Sequence, residues 1–213
     1  MKNFNLRFIT SITMLLVIYF AFTNSLALIS VLFLISFISL IETKNILNKL
    51  FLNKINNFFL FILSVLYFGF FSIQIFLFMN NTDNNSPIVL IFLLAICIST
   101  DIGGYFFGKL FKGKKLTKIS PNKTYSGLIG SYFFSIIVFI FFYNFYEFNL
   151  NFLILTILLS TISQLGDLFF SYLKRSAKIK DTGNILPGHG GLLDRIDGII
   201  FSIPIGINIY IFF

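Results

Sequence analysis

Apolar runs close to 20 residues long recur seven times in this chain, at about 6–23, 25–41, 57–79, 87–108, 127–146, 150–172 and 196–213. A helix rises 1.5 Å per residue, so each run matches the roughly 30 Å hydrocarbon layer of a bilayer. With 57% hydrophobic and only 11% charged residues, the composition excludes a soluble domain of this length. The pattern predicts an all-α fold: a polytopic transmembrane helix bundle of about seven spans. Residues 1–86 read as amino-terminal membrane helices and 87–213 as the membrane helices that carry the intramembrane acids and the polar loops, within one integrated membrane domain. The 32 phenylalanines fit lipid contact and packing, not a stacking platform for nucleic acid. Cys97 is the lone cysteine, so no intramolecular disulfide can form, and its apolar surroundings mark it as a small buried hydrophobe. The first run follows Lys2 and Arg7 as in a signal peptide, but no small-residue cleavage site follows it; a retained first helix is expected.

The connections between runs alternate in charge. All 16 Lys and Arg residues lie at the amino terminus (Lys2 and Arg7), or in the second, fourth and sixth connections. The opposite connections hold none, and two acids, Asp83 and Glu147. Basic residues beside spans favour the cytoplasmic side. The expected topology therefore has a cytoplasmic amino terminus, cytoplasmic polar loops and an external carboxyl terminus, in the cell (inner) membrane. The net charge of +8 becomes a one-sided field that gathers anionic head groups and solutes.

Two acids interrupt the runs near that same side. Asp101 precedes the first loop lysine, Lys109, by eight residues, and Asp167 precedes Lys174 by seven. On a helix each offset is roughly 10–12 Å, which puts both carboxylates at similar depth. Ionisable groups at such depth are costly and face a protein interior or a wet cavity. Each acid alone could be a neutralised or internally paired group. Two at one depth, beside Gly103, Gly104 and Gly108 on one helix and Gly166 on the other, favour a shared cavity.

The densest polar stretch is Ser171 to Asp197, which holds Lys174, Arg175, Lys178, Lys180, Asp181, Asp194, Arg195 and Asp197 between two apolar runs. It also holds the single histidine, His189, among Gly188, Gly190 and Gly191. Asp194 and Asp197 share a helix face if the seventh helix begins near Leu192. Helix capping would explain them. A glycine-rich turn entering a helix also leaves backbone N–H groups free for an anion such as phosphate. Carboxylates beside such a turn suit magnesium, which takes phosphate oxygens as well. The combination suggests phosphoryl or nucleotidyl transfer at a membrane surface. His189 has no Cys/His partner at zinc spacing and is not expected to be a metal ligand.

In order, Ser171, Lys174-Arg175, Lys180-Asp181, Gly183, Leu186-Pro187, His189-Gly190-Gly191, Asp194-Arg195 and Asp197 resemble the signature of the phosphatidate cytidylyltransferase family, the CDP-diacylglycerol synthases. Asp101 to Lys109 resembles the family's Asp-x-Gly-Ala-Tyr stretch. Ser120-Pro121-Asn122-Lys123-Thr124 resembles its Ser-Pro-x-Lys-Thr loop, and Gly166-Asp167 its Gly-Asp pair. Arg7 and Glu42 are weaker matches. The chain departs at Tyr125-Ser126-Gly127, where the family has Trp-Glu-Gly or Trp-Gln-Gly, and it is shorter than many members. The resemblance implies the reaction CTP plus phosphatidate giving CDP-diacylglycerol plus pyrophosphate. It also implies Mg2+ held by Asp167 and Asp194, with room for a second cation, and puts Asp197 among the catalytic residues and Asp101 in the substrate site. Lys123, Lys174, Arg175 and Arg195 would grip phosphates. Ser120, Thr124, Lys180, His189, Gly190 and Gly191 would line the substrate site, which faces the cytoplasm.

The rival readings fit less well. The CDP-alcohol phosphotransferases carry an Asp-Gly-x-x-Ala-Arg pattern that is absent here. An ion-coupled transporter would show symmetry-related broken helices, and no internal repeat is evident. A structural subunit leaves Ser171–Asp197 unexplained. A small interface between spans would permit a homodimer, although no residue singles one out.

Overall fold

The computed structural model describes residues 2–51, 53–81, 85–117, 120, 123–146, 148–187 and 190–212, with backbone alone at 2–9 and 11. These residues form seven helices: α1 (Lys2–Thr23), α2 (Ser25–Leu50), α3 (Lys54–Met79), α4 (Ser86–Phe111), α5 (Tyr125–Tyr146), α6 (Asn151–Ser176) and α7 (Leu193–Ile211). Each is centred on one of the apolar runs, as the sequence predicts. Extended pairing among the described residues is limited to two isolated bridges, Lys115 with Thr124 and Leu186 with Gly190. Helices α2 to α6 are long and apolar enough to cross a membrane, and Ile12–Thr23 of α1 forms a shorter apolar stretch. The chain is an all-helical, polytopic membrane protein.

Helix ends follow local chemistry. Asn24 breaks α1 from α2, its side chain accepting from the Leu26 amide at 2.8 Å. Asn53 caps α3 the same way through Ile55 at 3.0 Å. Such caps satisfy amides that the helix itself leaves unpaired. Pro87 opens α4, where its missing N–H costs nothing.

The chain divides into two compact units. The first is Met1–Thr82 with Leu173–Ile196, and the second is Asp83–Tyr172 with Asp197–Phe213. Within the first, α2 packs on both α1 and α3. Ser36 and Ser72 share a hydrogen bond at 2.6 Å across α2 and α3, and Leu28, Leu32, Phe68 and Phe71 are buried there. In lipid the interhelical contact relies on such packing and hydrogen bonds, since the hydrophobic drive between spans is weak.

Within the second unit, α4 lies directly against α5. The contact is close because both faces carry glycine: a Cβ on Gly103 would overlap the Gly130 carbonyl, and one on Gly130 would come within 2.6 Å of the Gly103 carbonyl. Ser131 of α5 donates to the Thr100 carbonyl at 2.8 Å, and Thr100 donates to Ser160 of α6 at 3.1 Å. Phe92 sits fully buried, edge-on to Phe142 and Phe152 at 5.1 and 5.8 Å. This ring cluster anchors one end of the unit and leaves the other, polar end to the loops.

Candidate active site

The second unit contains a cavity of about 390 Å³ among α4, the α4–α5 loop, α5 and α6. Asp101 and Asp167, the two intramembrane acids of the sequence, both line it, as do Ser120, Lys123 and Thr124. Tyr132, Thr161 and Gln164, none of them expected as site residues, add to its polar lining. The loop delivers Lys123 through a small antiparallel turn. Leu116 donates to the Lys123 carbonyl at 2.7 Å, Tyr125 to Lys114 at 3.0 Å, and the Lys123 amide to Ser120 at 3.0 Å. Thr124 then caps α5, accepting from the Gly127 amide at 3.1 Å. So held, the Lys123 ammonium lies 2.5 Å from Asp167 Oδ2. The other Asp167 oxygen accepts from Ser171 at 3.3 Å.

Ser126, which stands where the resemblance expects Glu or Gln, is engaged locally. It accepts from the Gly113 amide at 3.2 Å and lies 2.9 Å from Thr124 Oγ1. Its short side chain ties the loop to the start of α5.

A second constellation lies in the first unit. Lys174, near the end of α6, donates to Asp194 Oδ1 at 2.6 Å, and the two side chains are only 12% and 10% exposed. Asp194 Oδ2 accepts from the Thr182 amide at 2.8 Å and from the Gly191 amide at 3.3 Å. Burial raises the pKa of Asp194, but the Lys174 ammonium and the Thr182 donors outweigh it and hold the carboxyl below its usual range. Arg175, Lys178 and Lys180 are exposed, as is Arg195 in the first turn of α7.

The turn before α7 differs from the expectation of free amides. The amides of residues 190 to 193 are all taken within the unit: Gly190 by the Leu186 carbonyl, Gly191 by Asp194, and Leu192 and Leu193 by Glu42. An anion does sit at this helix start, but it is the protein's own carboxylate. Gly188 and His189 lie outside the described residues. Asp197, in the second unit, is buried and accepts from the Gly198 amide at 2.9 Å.

Among the described residues, no three His, Cys, Asp or Glu side chains converge into a metal cluster. Magnesium, however, commonly takes only one or two protein carboxylates and completes its shell with water and substrate phosphates. Each carboxylate–lysine pair taken by itself, Asp167 with Lys123 in the second unit and Asp194 with Lys174 in the first, offers one carboxylate to an ion of that kind. They do not fit an all-protein cage.

The cytidylyltransferase family model matches residues 1–213, the whole length of the sequence. The chain belongs to the cytidylyltransferase family. Relatives within this family include the phosphatidate cytidylyltransferase of Staphylococcus aureus (strain COL), 44% identical over 134 residues that cover 61% of this chain and 52% of the relative. The Staphylococcus haemolyticus (strain JCSC1435) protein of the same name is 43% identical over the same shares. That of Rickettsia typhi (strain ATCC VR-144 / Wilmington) is 40% identical over 151 residues, 65% of this chain and 66% of the relative. The chain spans about half the length of the staphylococcal cytidylyltransferases it matches.

Proposed function

We propose that this protein transfers a cytidylyl group from CTP to phosphatidate, giving CDP-diacylglycerol and pyrophosphate, at the cytoplasmic face of the inner membrane. The observation that carries the reading is the polar cavity holding Asp101, Lys123 and Asp167 in a chain of the cytidylyltransferase family. The names of the matched relatives support the choice of substrates. Orientation rests on the one-sided distribution of all 16 basic residues.

A phosphate oxygen of phosphatidate attacks the α-phosphorus of CTP, the bond to the β-phosphate oxygen breaks, and pyrophosphate leaves with that electron pair. The nucleophile is anionic at neutral pH, so the reaction needs no strong base. The difficulty is bringing two anions together, which cationic side chains ease by neutralising and orienting phosphates. Lys123, Lys174, Arg175 and Arg195 are assigned that task. When bound, magnesium supplies charge neutralisation and a template for the phosphates. Asp167 and Asp194 are the carboxylates assigned to hold it, with room for a second cation.

The test is incorporation of label from radiolabelled CTP into chloroform-soluble product by purified protein, phosphatidate and magnesium in mixed micelles. Label should enter lipid only when phosphatidate is present, with release of one pyrophosphate per lipid formed. Failure to label lipid across a range of magnesium concentrations would overturn the reading.

A further inference from the structure

Glu42 is a carboxylate for which the proposed reaction has no use, and it is 1% exposed. It sits on α2 beyond that helix's apolar run. Burying an ionised carboxylate is strongly unfavourable unless donors or a cation satisfy it. Among the described residues Glu42 forms no ion pair. Three donors meet it instead. The Thr182 hydroxyl donates to Oε2 at 2.6 Å, the Leu193 amide to Oε2 at 2.9 Å, and the Leu192 amide to Oε1 at 3.0 Å.

The two amides open α7, whose N-cap position is Leu192, a residue with no side-chain acceptor. Glu42 caps that helix from 150 residues away in sequence, and the helix start favours its charge. Two glycines of the signature stretch make room for it. A Cβ on Gly183 would lie 2.7 Å from Oε1, and one on Gly191 would lie 2.7 Å from Oε2 while overlapping Thr182 Oγ1. These glycines thus fit a carboxylate that lies outside the signature.

Thr182 links this anchor to Asp194. Its hydroxyl has one proton and lies closer to Glu42 than to Asp194 Oδ2, at 2.6 against 3.1 Å, so it donates to Glu42. Its amide donates to Asp194 Oδ2 at 2.8 Å, and Asp194 Oδ1 receives Lys174. The order of contacts is therefore Glu42, Thr182, Asp194, Lys174.

We propose that Glu42 is a positioning residue, which fixes Thr182 and the head of α7 so that Asp194 and Lys174 keep the geometry used in cytidylyl transfer. It touches no substrate itself. The proposal rests on the functional reading above. Glutamine cannot replace it, because its amide nitrogen would face N–H or O–H donors and its charge would be lost.

The experiment compares Glu42→Gln, Thr182→Val and Thr182→Ser with the parent protein, in steady-state kinetics and in amide exchange of the 179–195 segment. Glu42→Gln and Thr182→Val should lower turnover on the order of tenfold to a hundredfold, with the KM for CTP nearly unchanged. Thr182→Ser keeps the hydroxyl and should restore turnover. In Glu42→Gln, exchange in the segment should quicken. A merely structural Glu42 would lower yield and melting temperature while surviving molecules turn over normally, and that result overturns the proposal. If Glu42→Gln does not fold, the contrast of Thr182→Val with Thr182→Ser decides, and equal turnover in the two overturns it. If the parent protein makes no CDP-diacylglycerol, the functional reading fails separately. Exchange then decides: faster exchange in Glu42→Gln upholds the anchoring of Asp194, and unchanged exchange overturns it.

Discussion

Lys123 and Asp167 meet as an ion pair at 2.5 Å inside the cavity of the second unit, one from the α4–α5 loop and one from α6. Their side chains are 24% and 31% exposed, so the pair stays accessible from the cavity. It is too open to be the main source of stability, since exposed pairs contribute about 0–1 kcal/mol. Its place in the cavity suits a task in chemistry better.

Asp167→Asn is therefore expected to abolish most turnover while sparing the fold. The loss should be on the order of 10³-fold, as several kcal/mol of charge stabilisation imply. Raising magnesium should not rescue it. Kinetics with a melting curve of the same sample check this, and near-normal turnover at saturating magnesium would remove Asp167 from its assigned role.

Topology can be read by labelling. Cys97 is 1% exposed, so the native thiol should add little background. In intact cells, an impermeant maleimide should label Asp83→Cys and spare Lys112→Cys and Lys178→Cys. The reverse pattern would place the basic loops outside and defeat substrate access from the cytoplasm.

The Lys174–Asp194 pair should show its value as a function of pH. The folded pKa of Asp194 is depressed, so its contribution to stability is present above the unfolded value of about 3.9. That contribution fades as pH falls through the lower folded value. Lys174→Met should cost about 3 kcal/mol at neutral pH, because it leaves a largely buried carboxylate without its cation. In melting curves taken in detergent, the gap between parent and variant should narrow on acidification below that range. A gap that widens there would mean the pair is not what holds the hairpin.

Gly103→Ala tests the α4–α5 contact. The added methyl would overlap the Gly130 carbonyl, and backbone cannot swing aside as a flexible side chain can. Overpacking of this kind costs about 1–3 kcal/mol. A lower melting temperature together with weaker activity is expected, since the same two helices line the cavity. An unchanged melting temperature would show that the helices separate freely.

The seven apolar runs determined the helices, because a bilayer core demands continuous apolar helices and the pattern that meets this demand is local in sequence. The shared cavity of Asp101 and Asp167 was legible for the same reason: distance along a helix converts directly into height, and near-equal offsets from the loop lysines put the two acids level. The glycine turn before α7 was legible as an anion site, but not which anion fills it. That depended on α2 running past its apolar stretch to Leu50, which carries Glu42 to Thr182, Leu192 and Leu193. No periodicity in the chain encodes a contact between residues 140 to 151 positions apart. Only the tertiary structure decides it, because a buried carboxylate is tolerated where folding gathers enough donors around it.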